Sequence, residues 1–129
     1  MEYIDHTHRA LVIDDNAVNR MLAVELLDAH HIAADEALDG TAGLSMLQRR
    51  DYDLVLLDIS MPGLDGEEVC KRIRGNPATR GVRVIAYTAH AFADEKERML
   101  AAGFDALLIK PVSFQSLTDA IQPVLHARH

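Results

Sequence analysis

Leu54-Val55-Leu56-Leu57 runs straight into Asp58. An apolar run with no polar alternate reads as a strand buried on both faces, and here it ends on an acid. The same form recurs along the chain. Ala10-Leu11-Val12-Ile13 precedes Asp14-Asp15, Val82-Arg83-Val84-Ile85-Ala86 leads to Tyr87-Thr88, and Ala106-Leu107-Leu108-Ile109 leads to Lys110. Ile32-Ala33-Ala34 has more polar neighbours and suits a sheet edge.

Helix-length segments separate these runs. From Ala17 to His30, the residues Val18, Met21, Leu22 and Leu26 fall at helical spacing, and His30-His31 sit where a helix C-terminus favours positive charge. Asp39 is placed to cap a second helix reaching Arg50, in which Gly43 costs about 1 kcal/mol. Asp65 with Glu68 resembles a capping box, and Gly75 and Pro77 close that third helix. A mostly charged fourth helix runs from about Phe92 to Ala102 and stops at Gly103. The fifth starts near Ser113, with Phe114, Leu117, Ile121 and Val124 on one stripe and Pro123 distorting its last turn. Strands alternating with helices predict an α/β fold: a five-stranded parallel doubly wound sheet. Strand order 2-1-3-4-5 is expected, with the switch point, where ligands of such sheets bind, between the first and third strands.

Composition narrows the function classes. The chain has 129 residues, 49% hydrophobic and 26% charged, the balance of one ordinary globular domain. Thirteen Lys+Arg against twenty Asp+Glu give a formal charge of −7, which opposes a sequence-independent grip on nucleic acid or anionic lipid. No apolar run approaches the ~18 residues that span a bilayer. The acidic start, Met1-Glu2-Tyr3-Ile4-Asp5, is unlike a signal peptide. Cys70 is the one cysteine, so no internal disulfide forms, and a reducing cytoplasm is the expected setting.

The strand order brings Asp14, Asp15 and Asp58 to one crevice, on neighbouring strands about 4.8 Å apart. Carboxylates that close repel one another unless a cation sits among them. Hard oxygen ligands with few protein contacts suit Mg²⁺. Thr88 adds a hydroxyl one strand further on, and Lys110 has the reach to return an ammonium to the same crevice. These are the parts that stabilise a phosphoryl group in transfer. A carboxylate is itself a competent nucleophile, and Asp58 stands centrally among the other groups. Singly, each residue has a plain structural reading, as turn, helix cap or strand punctuation. Their joint appearance at four strand ends is what points to chemistry.

Val12-Ile13-Asp14-Asp15-Asn16, Leu56 to Gly66 (LLDISMPGLDG), Tyr87-Thr88-Ala89 and Lys110-Pro111 together resemble the receiver domain of bacterial two-component response regulators. The likeness runs from about Arg9 to Leu125, leaving residues 1–8 as an expected flexible tail. The resemblance implies a flavodoxin-like receiver fold in which Asp58 accepts a phosphoryl group from phosphohistidine, carried by a histidine kinase or histidine phosphotransfer protein. It implies Mg²⁺ bound by Asp15 directly, Asp14 largely through water, Asp58, and the Ser60 backbone carbonyl. Thr88 and Lys110 would take the phosphoryl oxygens, and Lys110-Pro111 is a candidate cis peptide. Such a domain catalyses its own phosphorylation and dephosphorylation without being a turnover enzyme. It signals through the face built by the fourth helix, fifth strand and fifth helix, as a monomer or weak dimer. Asn16, Asn19 and Arg20, with Thr88 to Ala93 (TAHAFA), are most similar to receivers of hybrid histidine kinases and DivK-like single-domain regulators. A chain stopping after the fifth helix has no room for a DNA-binding output domain, so output by protein contact is expected.

One position departs from the family. Many receivers carry Tyr or Phe three residues before the Lys, where this chain has Leu107. Tyr87 directly precedes Thr88 and by strand alternation points to the opposite face. The expectation is that the response travels through the loops and the weakly anchored fourth helix, with Phe92 and Met99 as apolar contacts for a partner.

Rival functions fit less well. A flavin carrier would meet repulsion at the acidic turn Asp14-Asp15-Asn16, and a dinucleotide enzyme would need a G-x-G-x-x-G that is absent. An aspartate phosphatase would want a second acid where Ser60 stands. A pseudo-receiver serving only as an interaction module is the remaining alternative. His6-Thr7-His8 reads as tail, His30, His31, His126 and His129 as helix-end or solvent contacts, and Cys70 as a packed residue. Glu67, Glu68, Lys71 and Arg72 read as a solvated face with weak pairs.

Overall fold

Five parallel strands lie in the order β2-β1-β3-β4-β5, as the alternation predicts. They are β1 His8–Ile13, β2 Ile32–Ala37, β3 Leu54–Asp58, β4 Arg83–Thr88 and β5 Ala106–Ile109. The helices are α1 Ala17–Ala29, α2 Gly40–Arg49, α3 Gly66–Gly75, α4 Ala93–Ala102 and α5 Phe114–His126. The computed structural model describes residues 8–59, 65–88, 93–110 and 112–126. Among them no helix is long and apolar enough to cross a membrane. His8, assigned above to the tail, opens β1.

Strand alternation sorts the core into two walls. Ala10, Val12, Leu54, Leu56, Ile85, Tyr87 and Leu108 face α1 and α5. Leu11, Ile13, Val55, Leu57, Val84 and Ala86 face α2, α3 and α4. β3 is buried along its whole length because it has a neighbour on each side and helices on both faces.

Three helices start on side-chain caps. Asn16 Oδ1 accepts from the Asn19 N–H at 3.0 Å, Asp39 Oδ1 from Ala42 at 2.8 Å, and Asp65 Oδ1 from Glu68 at 2.9 Å. Each cap contributes about 1 kcal/mol. The reciprocal half of the capping box expected at Glu68 is not what its carboxylate does; Oε2 accepts from Arg72 Nε at 3.2 Å instead. Gly43 also proves to be a requirement rather than a flaw. A Cβ there would lie 2.3 Å from Ile13 Cδ1 and 2.8 Å from Cγ1, so glycine lets α2 lie directly on β1.

The structure corrects three packing expectations. On α1, Val18 and Met21 are exposed, and the helix is held by Ala23 and Leu27. On α5, Leu117 and Ile121 are fully buried, whereas Phe114 is 50% exposed and stacks on the His30 ring at 4.3 Å between centroids. His30 is therefore more than a helix-end charge: Nδ1 donates to Leu26 O at 2.9 Å and Nε2 meets Thr118 Oγ1 at 2.6 Å, clasping α1 to α5. On α4, Met99 is 1% exposed and anchors the helix against Phe104 and Ile73, so it is not available to a partner. The half-exposed apolar side chains on that side are Leu100 and Ile109. Phe92 lies outside the described residues.

Candidate functional site

The carboxyl ends of β1, β3, β4 and β5 meet at one crevice. Asp14 follows the Ile13–Leu57 pair, Asp58 pairs with Tyr87, and the Lys110 N–H extends the ladder by donating to Thr88 O at 2.7 Å. Asp58 continues the series Leu54, Leu56 toward the α1/α5 side, and Asp14 does the same for Ala10, Val12. The sheet thus presents its acids and its lysine on one side of its edge.

Asp14 and Asp58 are buried and Asp15 is exposed, and one carboxylate oxygen from each lies within 4.8 Å of the other two. Lys110 Nζ stands 3.4 Å from Asp14 Oδ2 and 3.3 Å from Asp58 Oδ2. Thr88 is 3% exposed at the end of the next strand. Asp14 Oδ1 accepts from the Asn16 N–H at 2.9 Å, while Asp14 Oδ2 accepts no hydrogen bond among the described residues. A buried anionic oxygen with a lone pair to spare, beside two further carboxylates, fits a hard divalent cation. Asp15, open to solvent, leaves room for the waters Mg²⁺ retains. Ser60, His90 and Pro111 lie outside the described residues.

Two further residues shape the crevice in ways their sequence positions did not convey. Arg20 Nη1 donates to Asp14 O at 2.7 Å and its Nε to Glu36 Oε1 at 3.1 Å, pinning the turn that carries the acids. The sequence marks Arg20 within the Asn16, Asn19 and Arg20 pattern, which carries no hint of its contact with the acidic turn. Tyr87 was assigned to the face away from Thr88, and it is; but that face is the one Asp58 and Lys110 share. The Lys110 ammonium lies 4.7 Å from its ring centroid. Burial, reinforced by the charges of Asp14 and Asp58, pushes the Tyr87 phenol up to about 12.

Burial also raises the Asp14 carboxyl above its ordinary 3.8, with the Asp58 charge adding to the rise and the Asn16 N–H and Lys110 opposing it. The folded state therefore holds this proton more tightly than the unfolded chain. Its contribution favours folding at low pH and is lost as pH climbs from about 3.8 through the raised value. Asp14→Asn is expected to gain on the wild type across that window and to keep a constant lead above it. Urea melts of the two proteins in chelator from pH 4 to 8 measure the difference. A gap that does not change with pH would remove Asp14 as the source.

The model of the response regulator receiver domain matches residues 10–122. The chain belongs to that family. It is 36% identical over 116 residues to the sensor protein GacS of Pseudomonas syringae pv. syringae, covering 88% of this chain and 13% of that protein. The N-terminal domain of a response regulator receiver protein from Methanoculleus marisnigri superposes with a TM-score of 0.76 at 32% identity, covering 95% of this chain and 99% of that one. The chemotaxis protein CheY4 of Vibrio cholerae shares the fold at a TM-score of 0.85 and 24% identity, covering 91% and 98%. The chain is thus a receiver domain of two-component signalling, and it spans about an eighth of the sensor protein it matches.

Proposed function

We propose that this receiver is phosphorylated on Asp58, by a phosphohistidine on a histidine kinase or histidine phosphotransfer protein. The position of Asp58 carries the reading: a buried carboxylate ends the central strand, with two acids beside it and an ammonium 3.3 Å away. A carboxylate oxygen of Asp58 attacks phosphorus in line. An O–P bond forms as the N–P bond breaks, and the electron pair leaves on the imidazole nitrogen, which takes up a proton. Lys110 and the Thr88 hydroxyl receive the charge on the phosphoryl oxygens. Asp14, Asp15, Asp58 and the Ser60 carbonyl would hold Mg²⁺, which when bound supplies further neutralisation of those oxygens. The domain modifies itself and turns over no separate substrate. Its folding unit of about residues 9–125 and a cytoplasmic setting belong to the same reading.

The test is incubation with acetyl phosphate and Mg²⁺ followed by intact mass. One added phosphoryl group is expected, and a wild type that takes none would favour the interaction-module alternative. Lys110→Ala is expected to fold, to be phosphorylated slowly, and to lose the conformational response. Backbone NMR with Mg²⁺ and beryllofluoride reads that response. Shifts reaching residues 93–102 are expected in the wild type and confinement to the neighbourhood of Asp58 in the variant. Equal spread in both would take the lysine out of the switch.

A further inference from the structure

We propose that Tyr87 is a positioning residue for Lys110, its buried ring forming the third wall that holds the ammonium between Asp14 and Asp58. The proposal rests on the reading of Asp58 as the phosphoacceptor for its consequence, but not for the contact itself. Tyr87 is paired in register with Asp58 and is 1% exposed, and the Lys110 nitrogen sits 4.7 Å from its ring centroid.

The two carboxylates do not fix the ammonium unaided. Their separations from Nζ, 3.3 and 3.4 Å, exceed the ~2.8 Å of a strong charge-assisted hydrogen bond. A lysine head on a four-carbon stem would be free to slide between them or swing to solvent. The face of an aromatic ring attracts a cation, and more strongly where water is excluded. Here the ring is itself buried, in one apolar cluster with Leu56, Leu108, Val112 and, from α5, Leu117. The hydroxyl adds nothing to this role: Tyr87 Oη is buried and has no hydrogen-bond partner among the described residues. The ring and the wall behind it are the working parts. An incoming phosphoryl group then meets an ammonium already seated, able to pivot from Asp14 toward the new oxygens without leaving the ring.

The chain has three lysines, Lys71, Lys96 and Lys110, so lysine Hε–Cε signals are few, and Lys110→Arg assigns the third. In the wild type the Lys110 Hε signal is expected upfield of the other two, from the ring current of the face beneath it. Tyr87→Phe should retain that shift and phosphorylate from acetyl phosphate within about twofold of the wild type. Tyr87→Leu should abolish the shift and slow phosphorylation roughly tenfold, the equivalent of one good cation–π contact. Tyr87→Met serves if the leucine variant does not fold. An unchanged shift in the ringless variants overturns the proposal, and so does an unchanged rate. Equal slowing by Tyr87→Phe would assign the effect to the hydroxyl and overturn it also. A wild type that takes no phosphoryl group fails the phosphoacceptor reading alone, while the Hε shift still decides whether ring and ammonium touch.

Discussion

Asp58→Asn is expected to stop phosphorylation completely and, in metal-free buffer, to leave a protein more stable than the wild type. The two effects come from the same carboxylate. It is the nucleophile in the reading above, and it is also one of three acids drawn within 4.8 Å of one another, two of them buried. Lys110 neutralises part of that charge, and the remainder is paid in stability. Removing one anion should return on the order of 1 kcal/mol, the scale of a single pK unit. Magnesium should reverse the ranking, because it binds the folded site with three carboxylates better than the site with two, and stabilises in proportion. Thermal melts with chelator and with Mg²⁺, paired with intact mass after acetyl phosphate, read both halves. Phosphoryl mass on Asp58→Asn at the wild-type yield would remove the assignment of the nucleophile. A destabilised variant in chelator would remove the argument from repulsion.

The second large effect is expected at Gly66. This residue opens α3 directly behind the site, and a Cβ on it would lie 2.6 Å from Ile59 Cα and 2.9 Å from Asp58 O. Both are backbone atoms, one belonging to the central strand, and neither has a rotamer to change. Gly66→Ala should therefore push α3 away from β3 and destabilise by about 1–3 kcal/mol, despite the better helix propensity of alanine. Because the displaced carbonyl belongs to Asp58, phosphorylation should slow even in the molecules that remain folded. Urea unfolding and the acetyl phosphate time course, run at a temperature where the variant is folded, check each part. Wild-type stability would mean that the helix start has more room than its contacts imply.

The fold was legible because parallel strands covered on both faces leave largely apolar runs, and because four of the five here stop on a residue with chemistry. What escaped lay in relations between elements. The first helix carries apolar residues on two adjacent stripes, Val18-Met21-Leu22 and Ala23-Leu27, and spacing alone does not say which meets the sheet. The small Ala23 with Leu27 won, leaving Val18 and Met21 in solvent. Met99 was hidden in a run of charges, yet one fully buried side chain anchors that helix. Tyr87 was judged on its own strand, away from Thr88. Its importance depends on the register that sets it opposite Asp58, which exists only once β3 and β4 are side by side. That Asp14, Asp58, Thr88 and Lys110 gather at one edge of the sheet was legible, since each stands at a strand end, where order alone decides the neighbours.

The clasp of His30 with Phe114 and Thr118 joins the first helix of the domain to its fifth. On a ribosome, this chain emits its acids first and its remedy late. Asp14, Asp15 and Asp58 are all out before Lys110 is translated, and the wall of Leu56, Tyr87 and Leu108 stays wet until α5 follows. An unfinished chain is thus both electrostatically unbalanced and adhesive. Pauses in translation after Lys110 should be more costly to yield than pauses before Asp58, since only the closing helix seals the side of the sheet on which the lysine rests.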